Sequence, residues 1–193
     1  MGIFLFALVC ALHLYSLASD SLILRRITKP FIIPSMFHAM GASSPILIAV
    51  AFFYTVGDVF MLFAEKSIFL TAGALCFACG HLLYGSYFLS VGFSPIGMAL
   101  ALLCHVVFIT IMVRSGRAGV KEVIYLLLLG MMTVPVFSSF RPEPKALVAC
   151  LGAALFIISD SMIVLGQTGV RSCSDMAVMT TYIAANFFLL LGI

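Results

Sequence analysis

The sequence predicts an all-α fold, a polytopic integral membrane bundle of about eight transmembrane helices, and three observations lead there. Hydrophobic residues fill 64% of the 193 positions, charged residues only 9%, and the mean hydropathy is +1.26. A soluble domain carries roughly 25% charged residues to face water, so most of this surface must face lipid. Apolar runs approaching the ~20 residues that cross a hydrocarbon core recur along the chain, separated by short polar breaks. No soluble domain, linker or low-complexity tract interrupts them, so residues 1–193 read as one transmembrane domain.

The first span is Gly2–Ser19. It has no basic stretch ahead of its apolar run and no Ser or Thr at position 6, so neither a cleaved signal peptide nor myristoylation is expected. Next comes Arg25-Arg26-Ile27-Thr28-Lys29, read as a surface loop, and a short second span, Pro30–Met40, in which Pro34 removes a backbone donor. The remaining spans are Pro45–Ala64, Ile68–Val91, Pro95–Val113, Val120–Phe140, Ala146–Gln167 and Ser174–Ile193. Gly, Pro, Ser and charge clusters mark the breaks between them, as at Gly92-Phe93-Ser94 and at Arg141 to Lys145. Eight of the ten Lys and Arg fall in odd-numbered loops: Arg25, Arg26, Lys29, Lys66, Arg114, Arg117, Lys121 and Arg171. By the positive-inside bias those loops face the cytoplasm and both termini face away. The expected host membrane is the endoplasmic reticulum in a eukaryote and the cytoplasmic membrane in a bacterium.

Ten scattered basic residues are too few for a nucleic-acid surface. The six cysteines lie almost entirely within apolar runs and read as small buried hydrophobes, not as a disulfide framework. Cys76-Phe-Ala-Cys79 precedes Gly80-His81, but a haem motif needs His directly after the second Cys, and a thioredoxin motif needs a βαβ context.

Two acids stand out inside the spans. A carboxylate at the bilayer centre costs on the order of 3 kcal/mol or more, so Asp58 and Asp160 are functional candidates. Asp58 lies six residues before Ala64 and Asp160 seven before Gln167, which places both about 10 Å below the same surface at 1.5 Å per residue. A shared site would leave one carboxyl protonated and the other ionised. The blander reading is that each aspartate bonds Ser, Thr or Tyr on a neighbouring helix, a task a neutral Asn would do at lower cost.

His81 and Tyr84 share a helix face at i, i+3, and Tyr182 and Asn186 share one at i, i+4. Tyr182 counts to the level of the aspartates, whereas His81 counts about 20 Å deep. His105, alone on an apolar face, reads as a hydrogen-bonded packing residue, and His13 and His38 have no supporting partners. Gly57, Gly73, Gly80 and Gly152 allow close helix approach.

The ordered series Lys29-Pro30, Gly57-Asp58, Gly80-His81-x-x-Tyr84, Ser159-Asp160-Ser161 and Thr181-Tyr182 resembles the YhhN family of multi-spanning lysoplasmalogenases across nearly the whole chain. Two departures are Asn186, where relatives carry Gln, and Val164, where they carry a small residue. The resemblance implies eight spans, no cofactor, and a lysophospholipid substrate drawn from the bilayer. It implies hydrolysis of the sn-1 vinyl ether to a fatty aldehyde and a glycerophosphoethanolamine or glycerophosphocholine. On that reading Asp58 and Asp160 share the roles of acid and base, in either assignment, and Tyr182 and Asn186 position water or the carboxylates. Ser159, His81 and Tyr84 are supporting residues of the pair, and Lys29 at the membrane surface either meets the lipid phosphate as a point charge or serves as a snorkelling interfacial anchor.

The same residues also allow a proton-coupled transporter, since buried Asp, His and Tyr form proton relays. An intramembrane aspartyl protease is another alternative, because Gly57-Asp58 matches one of its motifs, although Ser159 stands where the other motif has Tyr. A zinc hydrolase would need more ligands beside His81 than the sequence clusters there.

Overall fold

A computed structural model describes residues 1–167 and 173–193, and among these the chain forms eight α-helices. They are α1 (Gly2–Ala18), α2 (Leu22–Ala39), α3 (Pro45–Met61), α4 (Ser67–Val91), α5 (Pro95–Arg114), α6 (Val120–Ser138), α7 (Pro144–Gln167) and α8 (Asp175–Leu191). The chain divides into two compact units, Met1–Tyr84 and Gly85–Ile193, with α4 contributing to each.

Helix starts follow local chemistry. Ser44 and Ser94 cap α3 and α5, accepting bonds from the N–H of Leu47 at 3.3 Å and of Gly97 at 3.0 Å. Each is followed by a proline at the first helical position, where its missing N–H costs nothing. Ser174 caps α8 through the Met176 N–H at 3.2 Å.

In the first unit α1 and α2 form an antiparallel hairpin, with His13 Nδ1 2.9 Å from Thr28 Oγ1 and the start of α1 beside Ala39. The second helix departs from expectation. It begins at Leu22, capped by Ser21, and runs through both Pro30 and Pro34. Arg25, Arg26 and Lys29 therefore stand on helical turns and not in a loop. Each proline removes one ladder bond, and burial of Ile32, Ile33, Met36 and Phe37 holds the helix together. The third helix ends at Met61 and not Ala64, so Asp58 lies only three residues from its end. Asp160 lies seven before the end of α7, so the equal depth count for the two acids does not hold.

In the second unit α5, α6, α7 and α8 run antiparallel in sequence. The Ser94 N–H bonds Ser138 O at 3.0 Å at one end of the α5–α6 pair, and His105 Nε2 donates to Leu126 O at 2.9 Å further along. His105 is thus the packing residue the sequence suggested. Gly152 lets α7 lie against Ala185 and Leu189 of α8.

Four helices, α4 to α7, are long and apolar enough to cross a membrane. Helices α1, α3 and α8 are apolar but have 17 residues each, about 25 Å at the helical rise, short of the ~30 Å core. The expectation of eight spans is therefore reduced to four that meet the length and apolarity of a crossing. Along α5, Leu102, Leu103, Val106, Val107 and Ile111 are all exposed, an outer face suited to lipid. The cysteines are free thiols, but none is fully buried; Cys79 and Cys104 are exposed, which corrects their reading as core residues. Arg171 and the rest of the α7–α8 connection at 168–172 lie outside the described residues.

Candidate active site

Each unit contains a cluster of buried polar side chains built around one of the two aspartates. In the first, Asp58 sits in the last turn of α3 and is 2% exposed. Lys29, on α2, places Nζ 3.5 Å from Asp58 Oδ1. The sequence reading put Lys29 at the surface against a lipid phosphate. Because α2 starts eight residues earlier than expected, Lys29 instead lies on a helix packed against α3, and its ammonium meets the carboxylate. A charge carried into an apolar bundle needs such a counter-charge.

One turn before Asp58 on the same helix, Tyr54 is fully buried, with Oη 2.7 Å from His81 Nδ1 on α4. The Tyr54 ring also meets Tyr84 edge-to-face at 6.2 Å, and Tyr84 in turn lies 6.5 Å from the Phe37 ring. A Cβ at Gly80 would run into the Tyr54 ring, so glycine lets α4 close onto α3 here. His81, counted as too deep for Asp58, is level with Tyr54, a turn further in. The sequence reading joined His81 and Tyr84 but missed Tyr54, although Tyr54 and Asp58 stand at i, i+4 on one face.

In the second unit Asp160, 3% exposed on α7, accepts a 2.9 Å hydrogen bond at Oδ2 from Tyr125 Oη of α6. Tyr125 is absent from the sequence-based set. Ser159, next to Asp160 in sequence, bonds elsewhere; its Oγ donates to Val178 O of α8 at 3.1 Å. Tyr182 packs edge-to-face on Phe156 at 5.6 Å, and Asn186 Nδ2 donates to Tyr182 O at 3.0 Å. That carbonyl can only accept, which fixes the amide orientation. Asn186 Oδ1 is then left buried and without a partner among the described residues. No three His, Cys, Asp or Glu side chains gather as a metal site among the described residues.

The two clusters differ in kind. One acid faces a cation, with a Tyr–His pair a turn away; the other faces a neutral phenol, with an orphaned amide oxygen on the next helix. Two buried acids with dedicated partners, Asp58 on α3 and Asp160 on the span-length helix α7, stand in an all-helical chain with four helices long and apolar enough to cross a membrane. The YhhN family model matches residues 24–193, which includes every candidate residue, and the chain belongs to the YhhN family. Comparisons with curated proteins and with solved structures found no match.

Proposed function

We propose that this protein is a lysoplasmalogenase, an ether-bond hydrolase that releases a fatty aldehyde from the sn-1 vinyl ether of lysophospholipids taken from the bilayer. Membership in the YhhN family carries the reading, and two buried carboxylates with unlike partners support it. The family match includes helices of both units, which supports treating the chain as one functional domain.

The reaction asks for two carboxyl groups in opposite roles. Protonation of the vinyl β-carbon leaves an oxocarbenium at the α-carbon. Water adds there, losing its proton to a base, and the hemiacetal collapses to aldehyde and free glycerol hydroxyl. Glycosidases divide the same labour between two carboxyls.

The roles follow from the partners. Asp160 is the proton donor, since burial beside a neutral phenol and not a cation favours the neutral acid, and the Tyr125 hydrogen bond orients its carboxyl. Asp58 is the base, since an ionised carboxylate inside a bundle needs a cation and Lys29 supplies one. Lys29 then serves as counter-ion and not as a phosphate contact. Tyr54 and His81 brace the helix turn beside Asp58, and the unpaired Asn186 Oδ1 is an acceptor for water.

The test is aldehyde release by the purified protein in detergent from a defined lysoplasmalogen. Asp58→Asn and Asp160→Asn should each lower it by at least a hundredfold, with the elution profile of the parent retained. Full activity in both variants would end the two-carboxyl reading, and no aldehyde from the parent would end the hydrolase reading.

A further inference from the structure

The second unit holds a cavity that none of the chemistry above uses. It lies along α5, α6 and α7, has a volume of about 680 Å³, and is lined among others by Leu100, Ala101, Phe108, Phe137, Phe140 and Ile157. That size is within the ~300–1,000 Å³ of small-molecule sites. Leu100, Cys104 and Phe140 are exposed, so it is a groove open on one side. Its lining on α5 extends from Ser94 to Phe108, fourteen residues, or about 21 Å. One leaflet of a ~30 Å core is about 15 Å deep, so an extended acyl chain fits along its length.

At the mouth of the groove, near Ser94 and Phe140, backbone and side-chain hydrogen bonds tie the helix ends together. The Ser94 N–H bonds Ser138 O at 3.0 Å, and Arg141 Nη2 donates to Val91 O at 2.9 Å. Gly92 permits this. A Cβ there would stand 2.8 Å from Arg141 Nη2, so glycine lets the guanidinium lie across the α4–α5 turn without a shift. The other donors of Arg141 take no protein partner among the described residues. Arg141 is the residue after Phe140, which puts an exposed cation with spare donors beside the mouth of an apolar groove of chain length. Lys145 adds a second positive charge in the same segment and Glu143 one negative.

We propose that the groove binds one membrane glycerophospholipid, with its phosphate at Arg141 and one acyl chain along α5 toward Phe108 and Ile157. The charge of the mouth selects a phosphate over a neutral headgroup, because a guanidinium offers paired donors to phosphate oxygens. Neither Asp58 nor Asp160 takes part, so the site stands whether or not the chain hydrolyses vinyl ethers.

The sequence contains no tryptophan, which makes a single introduced indole a clean reporter. Full-length protein carrying Phe137→Trp is titrated in detergent with brominated-chain phosphatidylglycerol, and separately with a brominated fatty alcohol of equal chain length. Phe108→Trp is the second reporter should the first fail to fold, and Leu127→Trp, on the exposed face of α6, is the control. The groove reporter should show saturable quenching near one lipid per protein, while the control shows only a shallow linear loss. Adding Arg141→Gln should raise the half-saturating phosphatidylglycerol concentration about fivefold, the effect of one basic side chain at a lipid surface, and leave the alcohol curve unchanged. Linear quenching at groove and control positions alike would overturn the site. Saturation indifferent to Arg141→Gln would overturn the phospholipid as its occupant in favour of any hydrocarbon chain.

Discussion

The Lys29 ammonium stands 3.5 Å from Asp58 Oδ1, joining α2 to α3 through two largely buried opposite charges. Breaking such a pair by removing one member costs about 3–5 kcal/mol, because the other charge is left uncompensated. Lys29→Met and Asp58→Asn should therefore each lower the melting midpoint in detergent. The double variant should recover most of the loss, since it buries no charge, yet release no aldehyde. Unchanged midpoints in both single variants would mean the pair does not form.

Tyr125 gives Asp160 its 2.9 Å hydrogen bond. Tyr125→Phe deletes that bond, and should cost about 1 kcal/mol of stability. If Tyr125 orients the proton donor, aldehyde release should fall by roughly tenfold or more, seen in kcat and not in KM. A change confined to KM would assign Tyr125 to substrate binding instead.

The helices were largely legible in the sequence and their ends were not, for physical reasons. Leu62, Phe63 and Ala64 form turns after α3 but are apolar, so composition could not stop the helix at Met61. The start of α2 failed in the opposite sense: Arg25, Arg26, Lys29 and Pro30 have the composition of a loop, and only packing against its neighbours makes them helical. Both aspartates were visible because a buried charge in so apolar a chain is an energetic anomaly. Their partners were harder to see. Tyr125 follows Lys121 and Glu122 at the start of α6, where a tyrosine reads as an interfacial anchor. Only the antiparallel register of α6 and α7 reveals what it touches. Tyr54 was within reach of spacing alone, one turn from Asp58.

Tyr54 and His81 form one unit through their 2.7 Å contact. Tyr54→Phe and His81→Phe should each reduce stability by about 1–3 kcal/mol, since each removes a buried hydrogen bond. The double variant should cost less than the two losses added, and the coupling is measured as a double-mutant cycle of melting midpoints. Gly80→Ala drives a methyl into the Tyr54 ring. It should lose about 1–3 kcal/mol by overpacking, and Tyr54→Leu in the same chain should relieve part of that loss. Strictly additive midpoints would show that the three residues do not act together.

Asn186 Oδ1 is fully buried with no partner among the described residues. A lone buried acceptor costs about 1–3 kcal/mol, a defect kept only where it serves a purpose. Asn186→Leu keeps the branched shape and heavy-atom count of the side chain and removes the orphan along with the single bond to Tyr182 O. The melting midpoint should stay level or rise, while aldehyde release falls because water has lost its acceptor. Asn186→Gln, which keeps the amide one methylene further out, should retain part of the activity at lower stability, since the extra methylene must enter a filled site. A purely structural role predicts the reverse pattern, with Asn186→Leu losing stability and keeping its rate. Midpoint and initial rate measured on the same preparations separate the two.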